Sequence, residues 1–235
     1  MKWKAAKAAL PYTMPVFMGY IFLGIAFGIL LTSKGYHFGW AVLMSFIIYA
    51  GSMQFVAISI LTGPFNLIRT AFLTLSVNAR HLFYGLSMLD KFKSLGKKRR
   101  YMIFSLTDET YSLLCGTKPP EGVDENWFYF FISLFNQCYW VLGSLIGSVA
   151  GSLIHFDSTG IDFAMTALFV VIFVEQWESQ KEHGPALTGV AVSLICLLIF
   201  GREAFIIPSM IGILTALTLL RGRLEKKEER GGAGK

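Results

Sequence analysis

The sequence predicts an all-α integral membrane protein of six to eight hydrophobic helical segments, and three observations predict it. Of 235 residues, 54% are hydrophobic and only 15% are charged, against about 25% charged in ordinary soluble domains. The mean hydropathy is +0.56, more apolar surface than one soluble core can hide, so a bilayer must serve as solvent. The cations are clustered: of 21 Lys and Arg, 15 fall in three patches, at Lys2–Lys7, at Lys91–Arg100 and from Arg221 onward. Basic clusters beside apolar runs read as cytoplasmic loops, so the net charge of +6 speaks of topology and not of nucleic acid. The length suits a single transmembrane domain over residues 1–235 with a charged cytoplasmic tail from about 221.

Segment one is expected over Pro11–Thr32. Lys2, Lys4 and Lys7 precede an uncharged run, Ala8–Ser33, long enough to span and without a small-residue cleavage site, so it reads as a first span rather than a signal peptide. Its Gly24-x3-Gly28 allows close approach of another backbone. Segment two, Gly39–Thr62, is uncharged but carries Gly51-Ser52-Met53-Gln54. A Gly-Ser pair is a place where a membrane helix bends or breaks, and broken backbone at that depth must line a cavity or be buried in protein. Segment three, Asn66–Asp90, has Asn78, Arg80 and His81 near its middle. Segment four, Tyr101–Gly116, is short and carries Thr107-Asp108-Glu109-Thr110 at its centre, followed by the acidic, proline-containing loop KPPEGVDEN. Segment five, Trp127–Ile154, has Asn136 and Gln137 toward its front and Gly143, Gly147 and Gly151 behind, three glycines on one helix face. Segment six, Ile161–Val174, is bounded by Asp162 and Glu175; segments seven and eight, Ala186–Phe200 and Ala204–Leu220, flank Gly201-Arg202-Glu203. Cys115, Cys138 and Cys196 are isolated in apolar surroundings, without metal spacing, and read as packing residues.

Two organisational features follow. Leu23-Gly24-x3-Gly28 matches Leu142-Gly143-x3-Gly147, and Gly39-x4-Met44-Ser45 matches Gly160-x4-Met165-Thr166, which suggests a duplicated unit, in the same or in inverted orientation, over about 11–88 and 127–200. If all three basic patches are cytoplasmic, an even number of crossings separates each pair. Three segments lie between the first two patches and five between the second and third, so one in each group fails to span. Segment two or three and segment four, being polar-centred, are the candidates for re-entrant or broken helices; the alternative is eight plain spans with Lys91–Arg100 outside.

The polar groups at bilayer depth are Gly51, Ser52 and Gln54; Asn78, Arg80 and His81; Asp108 and Glu109; Asn136 and Gln137; Asp162 lies nearer a segment end. An arginine at that depth costs about 2.5–3.5 kcal/mol on insertion scales and must find an acceptor away from lipid. Asp108 or Glu109 can supply it, as a structural pair, or the three can form a substrate or proton site. His81 is either a satisfied bundle histidine or a proton carrier. Asn136 and Gln137 either join helices by hydrogen bonds, worth about 0.6 kcal/mol each, or belong to the site. No P-loop, HExxH, GxSxG or cysteine ligand cluster occurs, which excludes intrinsic ATP hydrolysis and gives no reason to expect a metal, a cofactor or enzymatic chemistry.

Pro15, Gly19, Gly24 and Gly28, then Ala50-Gly51-Ser52-Met53-Gln54-Phe55, Val77-Asn78-Ala79-Arg80-His81-Leu82-Phe83-Tyr84 and Leu106-Thr107-Asp108-Glu109 together resemble the AzlC family of branched-chain amino-acid permeases, over nearly the whole chain. Asn136-Gln137-x2-Trp140 and Asp162-Phe163-Ala164 fit the same pattern. The resemblance implies an exporter of branched-chain or related amino acids in the cytoplasmic membrane of a prokaryote, acting with a small AzlD-type membrane subunit. A zwitterionic substrate needs two opposed polar sites: Arg80 or a half-helix N-terminus near Gly51–Ser52 for the carboxylate, Asp108 or Glu109 for the ammonium. Proton antiport through Asp108, Glu109 or His81 would couple export to a gradient. The alternative is a channel or scaffold subunit whose polar groups only hold broken helices together.

Overall fold

The computed structural model describes residues 2–153, 183–205 and 211–220, with isolated positions within 163–178 and at 208–209. Among these residues every regular element is helical. Contacts divide the chain into two compact units, Met1–Thr70 with Val77–Leu168, and Ala71–Ser76 with Phe169–Lys235.

The first unit is built on two long helices, α1 (Lys2–Ser33) and α8 (Glu125–Leu153), both apolar and long enough to cross a bilayer. Helix α1 begins nine residues before the expected Pro11 and runs through Pro11 and Pro15 without ending; the lysine-bearing turns simply extend it past the apolar stretch. The glycines set how the two helices meet. A Cβ on Gly143 would lie 2.8 Å from the carbonyl oxygen of Ile21, one on Gly147 would overlap the carbonyl of Ile25, and Gly151 faces Ile29. From α1, a Cβ on Gly24 would lie 2.9 Å from the backbone nitrogen of Ser144, and one on Gly28 would overlap Ser148. Both series ascend together, so α1 and α8 run parallel, backbone on backbone. Small residues permit that approach.

Segment two is broken. Helix α2 (Phe38–Ile47) ends with Ile48 N–H donating to Met44 O, and α3 (Gly51–Thr62) starts after an extended Ala50. Tyr49 between them has φ +43°, a left-handed conformation in a non-glycine residue. The pair folds back as a hairpin: Gln54 Nε2 donates to Ser45 Oγ at 3.0 Å, and Tyr36, just beyond α1, donates its hydroxyl to Leu61 O at 3.0 Å. Both ends of the hairpin therefore sit at the C-terminal end of α1, with the tip at 48–50 near mid-length.

Helix α4 (Leu67–Ser87), capped by Asn66 Oδ1 accepting from Arg69 N–H, starts at that same end and returns to the N-terminal end of α1. There the short helix α5 (Leu89–Phe92) and a 3-10 turn (Lys93–Lys98) carry the basic loop. Ala9, Phe92, Leu95, Met102, Leu114, Phe128 and Ile132 form one buried apolar cluster at this end. Lys98 Nζ lies 3.3 Å from the centroid of Trp127 and Lys2 Nζ lies 4.6 Å from it. Desolvation, followed by the neighbouring Lys2, pushes the Lys98 pKa down, against the opposing pull of Asp124. The first two basic patches thus share one end of the unit.

Segment four is the second hairpin. Helix α6 (Arg99–Phe104) rises from the basic end, breaks at Ser105–Thr107, and α7 (Asp108–Gly116) descends again, with Lys91 Nζ donating to Leu114 O and Tyr129 hydroxyl to Thr117 O at 3.2 Å. The two hairpins enter from opposite ends and their tips meet, with the Tyr49 and Phe104 rings 6.3 Å apart. Segment four, a candidate for a broken helix, breaks just before its central acids, so Asp108 and Glu109 stand in the first turn of α7. Among the described residues of the second unit, α9 (Gly184–Ala204), kinked at Gly201 with φ +70°, and α10 (Ile211–Leu220) meet where a Cβ on Gly212 would lie 2.8 Å from Val192 Cγ1. Of the cysteines, Cys196 is buried, whereas Cys115 and Cys138 lie on exposed faces rather than in packing positions. Most of segment six, with its Asp162, lies outside the described residues, as do Gly160 and Met165 of the matched repeat.

Candidate functional site

The first polar cluster forms where the hairpin tips flank α4. Arg80 Nη1 pairs with Asp108 Oδ2 at 3.0 Å, and Arg80 Nη2 donates to Ser52 Oγ at 2.6 Å. Tyr84, one turn beyond Arg80, donates its hydroxyl to Asp108 Oδ1 at 2.6 Å. One guanidinium thus ties the start of α3 to the start of α7. The first turn of α3 has no side-chain cap, so its leading N–H groups face the tip, and Thr107 caps α7 by accepting from Thr110 N–H. Asp108 and Glu109 complement the positive end of the α7 dipole.

Glu109 does not join the arginine. Its Oε2 accepts from the Tyr20 hydroxyl of α1 at 2.6 Å. That hydroxyl also lies 2.7 Å from Thr107 Oγ1, which donates to Thr110 Oγ1 at 3.0 Å. Asn136 Nδ2 of α8 donates to the same Thr110 oxygen at 3.0 Å. The expected cluster is therefore two clusters, separated because consecutive residues on a helix diverge by about 100°: Asp108 turns to α4 and Glu109 to α1.

Gln54 and Gln137 use their amides inside the fold. Gln54 donates to Ser45, which donates to Ser144 at 2.7 Å, while Trp140 Nε1 donates to Gln54 Oε1 at 2.9 Å. Gln137 donates to Phe46 O at 3.2 Å and accepts from the Tyr101 hydroxyl at 2.7 Å. Gly51 packs under the Trp140 ring, where a Cβ would lie 3.0 Å from it. These contacts seat both hairpins on α8.

Beside the first cluster lies a cavity of about 230 Å³ lined by both tips (Ile48, Tyr49 and Ala50; Ile103, Phe104 and Leu106) and by Asn78, His81 and Gly85 of α4. The last three share one helix face by their spacing. His81 Nδ1 lies 3.3 Å from Asn78 O. Among the described residues, Asn78 Oδ1 and Arg80 Nε are buried and have no hydrogen-bond partner. Sequence reasoning missed Tyr20, Tyr49, Tyr84 and Thr110. Tyr84 carried a signal, being four residues from Arg80; Tyr20, inside an apolar run, carried none.

A family model described as AzlC protein matches residues 15–154. The chain belongs to the AzlC family. It is 52% identical to the branched-chain amino acid transport protein AzlC of Bacillus subtilis over 96% of this chain and 89% of that one. It is 45% identical to an uncharacterized membrane protein of Haemophilus influenzae, over 96% and 93% of the two chains. It is 26% identical to the inner membrane protein YgaZ of Escherichia coli, over 87% and 86%. No solved structure matches. Membership, with the long apolar helices, makes the chain a multi-pass membrane protein. The AzlC match spans both hairpins, α4 and α8, and so includes every residue of the two polar clusters.

Proposed function

We propose that the chain is a secondary transporter that exports branched-chain or related amino acids across the cytoplasmic membrane of a prokaryote in exchange for protons, with a small AzlD-type subunit as partner. The observation that carries this reading is the Arg80–Asp108 pair at two opposed hairpin tips, beside a small cavity. Irregular backbone of that kind is tolerated at bilayer depth only where it lines a cavity or is buried in protein, and half-helix ends at mid-depth are where transporters hold charged substrates. With α1, α4 and α8 crossing and both hairpins re-entrant, the first two basic patches fall on the cytoplasmic side.

In this reading the substrate carboxylate docks against the uncapped start of α3 and the Arg80 guanidinium. Asn78 Oδ1, an acceptor without a donor, takes the ammonium together with Asp108. Ile48, Ile103, Phe104 and Leu106 receive the aliphatic side chain. The cavity falls below the roughly 300–1,000 Å³ of drug-sized pockets, which suits a small metabolite. No residue of helix α4 is fully buried among the described residues, and this helix is the one to which the reading assigns the partner.

The deciding experiment is reconstitution in vesicles with and without the small subunit. Saturable leucine, isoleucine or valine flux that responds to a pH gradient supports the proposal; unsaturable conductance supports a channel, and no flux in either preparation supports a scaffold. Gly85 gives a specific check on the cavity. It shares the face of Asn78 and His81, and a Cβ there meets nothing within 4 Å. Gly85→Leu is expected to leave membrane abundance unchanged and to lower isoleucine flux about tenfold relative to alanine flux, the scale of one or two methylenes in a pocket.

A further inference from the structure

Among the described residues, the two adjacent acids at the tip of the second hairpin differ in one respect: Asp108 has a cation and Glu109 has none within ion-pair distance. We propose that Glu109, rather than Asp108 or His81, is the residue that binds and releases the coupled proton; the proposal rests on the antiport reading above. Asp108 and Arg80 neutralise each other, so the first cluster can persist without a proton. Glu109 is left as a single carboxylate held by a hydroxyl and by its own backbone N–H, with no cation, and an unpaired charge away from water is expensive.

The neighbours of Glu109 suit a group that changes charge. From α1 comes the Tyr20 hydroxyl, 2.6 Å away; from α4 come Arg80 and Tyr84, engaged with Asp108. Among the described residues, Tyr49 from the first hairpin and Asp108 of its own helix complete the titratable groups around it, and α8 adds the neutral Asn136, through Thr110. When Glu109 is ionised, Tyr20 donates to it. When Glu109 holds a proton, its O–H can donate to the Tyr20 oxygen while the Tyr20 proton turns to Thr107 Oγ1, 2.7 Å away. Hydroxyls donate and accept alike, so both states are satisfied by rotation alone. One proton enters from one side and leaves to the other, and no other bond forms or breaks. Asp108 also accepts from a hydroxyl, that of Tyr84 at Oδ1, but its Oδ2 is paired with a guanidinium that cannot lose its proton and so favours the ionised carboxylate.

The test uses the full chain, with its small subunit where flux requires it, in vesicles loaded with leucine. Two assays are compared: exchange of labelled for unlabelled leucine at equal pH, and net flux driven by an imposed pH gradient. Glu109→Gln is expected to keep exchange within about twofold of the wild type while losing gradient-driven flux at least tenfold and becoming insensitive to pH. Retained gradient-driven flux, or parallel loss of exchange and net flux, overturns the proposal. Tyr20→Phe, which removes the hydroxyl and little volume, guards against a misfolded Gln variant: its gradient-driven flux should shift in pH profile with exchange intact, and an unmoved profile overturns the proposal. A wild type that transports leucine with no response to a pH gradient defeats the antiport reading itself, a different result from any outcome in the variants.

Discussion

Arg80→Gln is expected to abolish transport and to lower the amount of folded protein, while the double variant Arg80→Gln with Asp108→Asn recovers the protein and not the transport. The single change leaves the Asp108 carboxylate with one donor, Tyr84, at a depth where lipid offers none. Removing one partner of a fully buried pair costs about 3–5 kcal/mol, most of it the penalty of the charge left behind; side-chain exposures of 26% and 17% for Arg80 and Asp108 place this pair below that limit. The guanidinium also bridges α3 to α7 through Ser52, so its loss frees both tips. The double variant removes the residual charge and lets two amides hydrogen-bond across the gap. Membrane abundance and monodispersity in detergent report the fold; leucine exchange reports the site. Recovery of both in the double variant would reduce the pair to a clamp and remove it from the substrate path.

What could be read in advance follows from the range over which each residue acts. Apolar segments were legible because bilayer burial is a local property of composition, and α1, α8 and α9 appear where hydropathy placed them. The break in segment two was legible from Gly51-Ser52, but the tip lies at 48–50, where Tyr49 takes φ +43°; no residue type there announces it. The start of α7 was legible in part. Thr107 followed by two acids is a helix N-terminus signal, yet segment four is a candidate for a broken helix only from its polar centre, without the position of the break. The return of each hairpin was not legible, since it depends on contacts far apart in sequence, Ser45 with Gln54 and Ser144, and Lys91 with Leu114. Sequence also left Arg80 a choice between Asp108 and Glu109. The phase of α7 decides it, and that phase is fixed only once Thr107 is known to be the cap.

Gly147→Ala is expected to deplete the protein from the membrane, whereas Gly19→Ala, the same chemical change on the partner helix, leaves it untouched. A methyl on Gly147 would overlap the Ile25 carbonyl, and one on Gly19 meets nothing within 4 Å. Alanine is the better helix former by about 1 kcal/mol, so propensity favours both variants and only the helix contact separates them. Overpacking a core costs about 1–3 kcal/mol, occasionally more; at Gly147 the obstacle is backbone on a helix that other glycine contacts hold in place, so the upper end applies. The strain also reaches the site. Tyr20 on α1 and Asn136 on α8 hold the two sides of the Glu109 array, and Ser144, one turn from Gly147, anchors the first hairpin through Ser45. Whatever fraction of Gly147→Ala survives in the membrane should therefore transport less per molecule than the wild type, measured as pH-gradient-driven leucine flux normalised to folded protein. Full specific activity in the surviving fraction would mean that the glycine seam sets assembly alone and that the polar clusters tolerate movement of the two helices that carry them.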